Sequence, residues 1–182
     1  MKKIFIGLIF IMLELNIGIN LLPDFVGYIL IWLGCADLAA DSSKLTAARP
    51  LALIMTAATA VLYVMNLLGL TDGLGTMGIV IELVLVLGSL LMVFTLGKGI
   101  CQVGEKNGVE LNGQAIINSG KLLAVAEIIA YVLLLIGGLE SALTVVASVL
   151  ILASFLFKVV LLISAFMSNK MYKAWKASAV EE

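Results

Sequence analysis

Apolar residues fall in six runs along the chain, at 4–22, 24–38, 51–70, 76–96, 122–136 and 141–167, with polar residues gathered between them. A helix that crosses a bilayer needs about 20 mostly apolar residues. The pattern therefore predicts an all-α polytopic membrane protein, a bundle of six transmembrane helices. Local chemistry marks the ends of the runs. Pro23 and Asp24 head the second, since a proline is tolerated where no intrahelical donor is missed and an Asp oxygen can cap the first free amides. Pro50 heads the third by the same logic. Thr71, Asp72, Gly73 and Gly75 form a short turn before the fourth, and Gly137 and Gly138 turn the chain between the fifth and sixth. Residues 104–121, with Asn-Gly pairs at Asn107 and Asn112, read as the one extended polar segment. The sixth run is long enough to tilt or to project beyond the bilayer.

The polar positions orient the bundle. Ten of the eleven Lys and Arg residues lie in four segments that share one side of such a topology: Lys2 and Lys3; Lys44 and Arg49; Lys98, Lys106 and Lys121; Lys170, Lys173 and Lys176. The other three connections hold one acid each, Asp24, Asp72 and Glu140, and no base. Short positive segments resist translocation, so both termini are expected in the cytoplasm and the protein in the cell membrane as a multi-pass chain. Composition agrees: 63% of residues are hydrophobic, 13% are charged and the mean hydropathy is +1.20. Six spans leave only short loops, so residues 1–182 read as a single transmembrane domain. A net charge of -1 without a soluble basic face argues against nucleic acid as a partner. Cys35 and Cys101 fall near cytoplasmic helix ends, where thiols stay reduced, and no disulfide is expected. Glu14 interrupts the first run and no small-x-small site follows, so that run reads as a retained helix and not as a cleaved signal.

The segment Leu21, Leu22, Pro23, Asp24, Phe25, Val26, Gly27, Tyr28, Ile29, Leu30, with Ala48, Arg49 and Pro50 downstream, resembles a family of small integral membrane proteins of Gram-positive bacteria. Members carry an LPDFxGY segment after the first helix. The resemblance covers roughly the first 50 residues and implies a bacterial membrane location, without an activity. In size and topology the chain is also similar to the membrane-embedded substrate-binding subunits of vitamin transporters. Their alanine motif in the first helix has no counterpart here, as residues 4–22 contain no Ala.

Four ionisable residues fall inside the expected spans: Glu14, Glu82, Glu127 and Lys158. Each costs about 2.5–3.5 kcal/mol near a helix centre and so calls for a partner or water. At about 1.5 Å per residue, Glu82 lies about 9 Å and Glu14 about 12 Å below the outer helix ends, one shared level. Thr56, Thr59, Tyr63 and Asn66 follow a helical spacing that puts them on one face of the third helix. Gly75, Gly78, Glu82 and Ser89 do the same on the fourth. A polar pocket in the outer half is expected, with Glu14 and Glu82 as cation or proton sites and Tyr63 and Asn66 as ligand-orienting groups. Two carboxylates facing each other away from water favour one shared proton or a bound cation. The plainer reading of the Thr, Tyr and Asn face is interhelical hydrogen bonding. Glu127 and Lys158 are about 9 Å apart along the axis of the last hairpin, but their side chains lean toward each other. Either they pair, or Lys158 snorkels to the cytoplasmic interface.

The absences narrow the chemistry. The chain has no His, so a Ser-His-Asp triad, a His-ligated haem and a His-bearing zinc site are all excluded. No nucleotide-binding glycine motif occurs. Asp37 and Asp41 read as solvated charges at a helix end. No catalytic residue, metal site or cofactor is expected. The expected function is a small ion- or proton-linked transporter or a membrane-embedded solute-binding protein. The competing reading is a non-transporting structural or regulatory subunit, exposing a small-residue face such as Gly75, Gly78 and Gly88 to a partner membrane protein or a second copy.

Overall fold

A computed structural model describes residues 1–13, 23–71, 73–137 and 142–179; among these the chain forms six α-helices and no strand. They are α1 (Lys2–Met12), α2 (Asp24–Asp37), α3 (Ser43–Leu67), α4 (Gly75–Asn107), α5 (Gly113–Gly137) and α6 (Ala142–Ser178). Four of them, α3 to α6, are long and apolar enough to cross a membrane. Glu14, with the rest of the stretch 14–22, lies outside the described residues, as do Asp72 and Glu140.

Four helix boundaries depart from those the apolar runs predict, one of them the end of α6, which runs on to Ser178. Ser42 starts α3 seven residues before Pro50 is reached, because its Oγ accepts from the Leu45 amide at 3.2 Å and caps the first turn. Pro50 therefore sits inside the helix, where it forgoes the bond to the Thr46 carbonyl. The polar stretch 104–121 is mostly helical as well. α4 continues to Asn107, where Gly108 adopts a left-handed conformation (φ 65°, ψ 27°) that only a residue without a Cβ adopts at little cost. Asn112, at φ 56°, then turns the chain into α5 at Gly113. Only residues 108–112 connect the two helices, and Lys98, Lys106 and Lys121 are all helical. Polar residues mark where a helix leaves lipid, which is not where it ends.

Each helix packs antiparallel on the next, and α6 closes back onto α1, so the six form a ring. The tightest approach is between α1 and α2. A Cβ at Gly7 would meet the Gly27 carbonyl oxygen at 2.6 Å, and one at Gly34 would meet Ile4 Cγ1 at the same distance. Small residues let helix backbones close up in this way where lipid provides no hydrophobic drive. Gly97 of α4 sits similarly against α5. Gly88, expected on an outward small-residue face, is instead covered by Met55 of α3, whose Sδ lies 2.5 Å from where its Cβ would be. Large apolar side chains such as Leu53, Ile54, Val84, Leu152 and Leu156 point outward and are more than half exposed, as a lipid-facing surface requires.

The two ends of the ring differ. At one end Lys3 pairs with Asp37 at 2.8 Å and Lys106 with Asp41 at 2.9 Å, so these acids are not free helix-end charges. Lys106 also donates to the Ala40 carbonyl at 2.7 Å, and Ser42 donates to Gln102 at 2.8 Å. The Arg49 guanidinium lies over the Trp32 ring, 5.5 Å from its centroid. The four basic segments identified above belong to the half of the ring that holds this network, and Lys158 stands apart from them. The opposite half holds the acids Asp24, Glu82 and Glu127.

Candidate functional site

The sequence of α2 places Asp24 and Tyr28 four residues apart, one turn above the other on a single face. The same spacing recurs on α5, with Glu127 and Tyr131. On α4, Gly78, Glu82, Leu85 and Ser89 share a face, and on α3 Thr59, Tyr63 and Asn66 do. The ring turns all four faces inward toward one cavity. It has two adjoining chambers of about 270 Å³ and 320 Å³, with Asp24, Thr59, Asn66, Glu82 and Leu85 bordering both. All six helices contribute to the second chamber, α1 through Ile11 and Met12 and α6 through Lys158. The first chamber reaches Thr71 and Leu74 in the connection after α3, and Leu62 and Ile81 add to its apolar wall.

Glu127 is 5% exposed, and its Oε1 lies 3.2 Å from Lys158 Nζ. The Lys158 ammonium is thus held inside the bundle against α5 and does not snorkel to the far interface. The antiparallel lean of the two side chains closes the axial gap that straight helices would leave. Glu82 stands exposed in the open part of the cavity, and the Tyr131 hydroxyl donates to its Oε2 across a long 3.4 Å. Glu82 and Glu127, one turn from Tyr131 on α5, therefore belong to one polar network with Lys158 across α4, α5 and α6.

Tyr63 and Asn66 both border the first chamber. The Tyr63 ring is held edge-on against Phe25 of α2, with centroids 5.5 Å apart, and the Asn66 amide oxygen accepts from Thr71 at 3.3 Å. Thr56 and Thr59 donate back to the carbonyls of Ala52 and Met55, at 2.8 Å and 2.7 Å. Of these two only Thr59 borders the cavity, offering an oxygen and not a proton. The Thr56–Asn66 stripe thus divides into a part that satisfies its own helix and a part that lines space. Ser89 lies deeper, in the second chamber, while Gly75 borders neither.

Asp24, Tyr28 and Tyr131 were missed by reasoning from the spans. Asp24 reads in the sequence as a helix cap in an outer loop, Tyr28 only as part of the Leu21–Leu30 segment, and Tyr131 carries no reading there. The signal that finds them is the repeated acid followed four residues later by Tyr, at 24/28 and 127/131. Among the described residues no three Asp, Glu or Cys side chains converge closely enough to hold a metal ion. The arrangement is suited to a small molecule that takes hydrogen bonds and charge from several helices at once. No protein-family model, curated protein or solved structure matches the chain.

Proposed function

We propose that the chain is a six-span protein of the bacterial cell membrane, with both termini in the cytoplasm, that binds a small solute in its central cavity and moves it in exchange for, or together with, a proton or cation. The observation that carries this reading is a charged cavity inside an apolar shell, lined by all six helices and bounded by Glu82, Glu127 and Lys158. Charges within a membrane domain are costly, and they concentrate where a substrate or ion must pass. Glu82, with Glu14 of the first apolar run, is the candidate proton or cation site, and Tyr63 and Asn66 orient the solute. The described part of α2 is 14 residues, or about 21 Å. As a span it calls for local thinning of a bilayer core of about 30 Å. The resemblance of the Leu22–Tyr28 segment to small membrane proteins of Gram-positive bacteria fits this location. No step of the proposed function is catalytic.

The test is the thermal stability of the detergent-purified chain and of Glu82→Gln across pH and a panel of ions and small metabolites. A ligand that binds the folded state raises its melting temperature in proportion to occupancy. The expected result is a shift in the wild type that is lost in the variant. A flat response in both, with a membrane protein co-purifying, would replace solute binding with the role of an accessory subunit.

A further inference from the structure

Resting on the solute-binding reading above, we infer that the ligand of the first chamber is a small organic cation, an amine or quaternary ammonium head on a compact apolar body, held between Asp24 of α2 and Glu82 of α4.

The sign of the charge comes first. The described lining of the two chambers has three carboxylates, Asp24, Glu82 and Glu127, and one ammonium, Lys158. Lys158 is already held 3.2 Å from Glu127 in the second chamber. The first chamber has two acids and no base in its lining. None of the remaining residues, 14–22, 72, 138–141 and 180–182, is basic. Among the described residues that border the two chambers, Lys158 is the one base. The field in the cavity is therefore negative, and a low-dielectric wall focuses it. An anionic solute would have to overcome that field.

Size and shape come next. Clustered carboxylates of the kind that hold a bare divalent ion are not found among the described residues, where no three acids converge. The first chamber, at about 270 Å³, is near the lower end of ordinary small-molecule pockets. Its wall is mixed. Leu62, Leu74, Ile81 and Leu85 supply apolar surface, and Asp24 and Glu82 supply carboxylates. Tyr63 adds a ring fixed edge-on by Phe25, and an aromatic face beside carboxylates is the environment in which an ammonium gains both cation–π and charge-assisted contacts. A ligand with one cationic head and an apolar body matches every part of this wall.

The experiment compares isosteres on the full-length chain in detergent, at one ionic strength: phenethylamine and benzyltrimethylammonium against 2-phenylethanol and phenylacetate. Melting temperature and calorimetric binding are read for each. Both cations should raise the melting temperature, and the alcohol and the anion should leave it unchanged. Glu82→Gln and Asp24→Asn should each weaken phenethylamine binding by about tenfold or more, the worth of a charge-assisted contact. Tyr63→Leu should weaken benzyltrimethylammonium more than Tyr63→Phe does, and Glu105→Gln at the other end should have no effect. A shift with phenylacetate or 2-phenylethanol equal to that with the amines overturns the inference and leaves solute binding standing. No shift with either cation, alongside a response to some other solute in the metabolite panel, overturns it as well. Silence from every compound in both panels overturns the solute-binding reading itself. If a variant fails to fold, the four isosteres on the wild type still decide.

Discussion

At the scale of single residues, the Glu127–Lys158 pair is the sharpest test of how this interior tolerates charge. The two side chains are 3.2 Å apart and mostly buried, so removing one leaves the other in a poor solvent. Lys158→Met is expected to cost about 3 kcal/mol. The double change with Glu127→Gln should cost clearly less than the sum of the single changes, because no charge is then stranded. A double-mutant cycle on unfolding free energies measures the coupling, and additive losses would show that the pair contributes nothing. The lean of side chains on an antiparallel hairpin made this meeting one of two readings open in the sequence, with snorkelling of Lys158 the other. The 3.6-residue period made legible the shared face of Tyr63 and Asn66. Asp24 was not legible in this way, because an acid beside a proline at a helix start has a complete local explanation as a cap. Only the ring closure of six helices shows that the same residue also faces the cavity.

At the scale of elements, hydropathy and helix extent separate. A run of apolar residues reports the length of chain that lipid surrounds, and in α4, α5 and α6 the helix continues well past it. Where a helix ends was written in small local signals instead, such as Ser42 for α3 and Gly108 for α4. Ser42→Ala should therefore lower stability by about 1 kcal/mol through loss of the cap. It should also speed hydrogen exchange at the Leu45 amide; unchanged exchange there would mean that Ser42 does not set the start of α3. The α1–α2 contact yields a second prediction. A methyl group at Gly7 would press on the Gly27 carbonyl oxygen from 2.6 Å, whereas nothing lies within 4 Å of a methyl group at Gly73. Gly7→Ala should cost about 1–3 kcal/mol, as overpacking does, and Gly73→Ala close to none. Equal melting temperatures for the two variants would show that the helices can slide apart without penalty. The crossing glycines were present in the sequence, but nothing in one helix alone shows which glycine its neighbour will meet.

At the scale of the whole molecule, the orientation of the ring decides which compartment the cavity serves. Charge asymmetry of the kind that orients a chain during insertion also bears on the cavity, since ten of the eleven bases lie in the four basic segments and Lys158 alone borders a chamber. With the basic half in the cytoplasm, the chamber bordered by Thr71 and Leu74 opens to the outside, and Asp24 and Glu82 meet solutes arriving there. With the opposite orientation the same acids would face the cytoplasm, and a solute would have to be collected from within the cell. Impermeant maleimide separates the two. Cys35 is fully buried and can be kept, while the partly exposed Cys101 is replaced by Ala. In that background Gly73→Cys should label in intact cells and Glu110→Cys only after permeabilisation, both positions being exposed at opposite ends of the ring. The reverse pattern would turn the cavity inward and make collection from the cytoplasm the first step of any transport cycle. Labelling of both positions in intact cells would break the shared sidedness of the four basic segments on which the six-span topology rests.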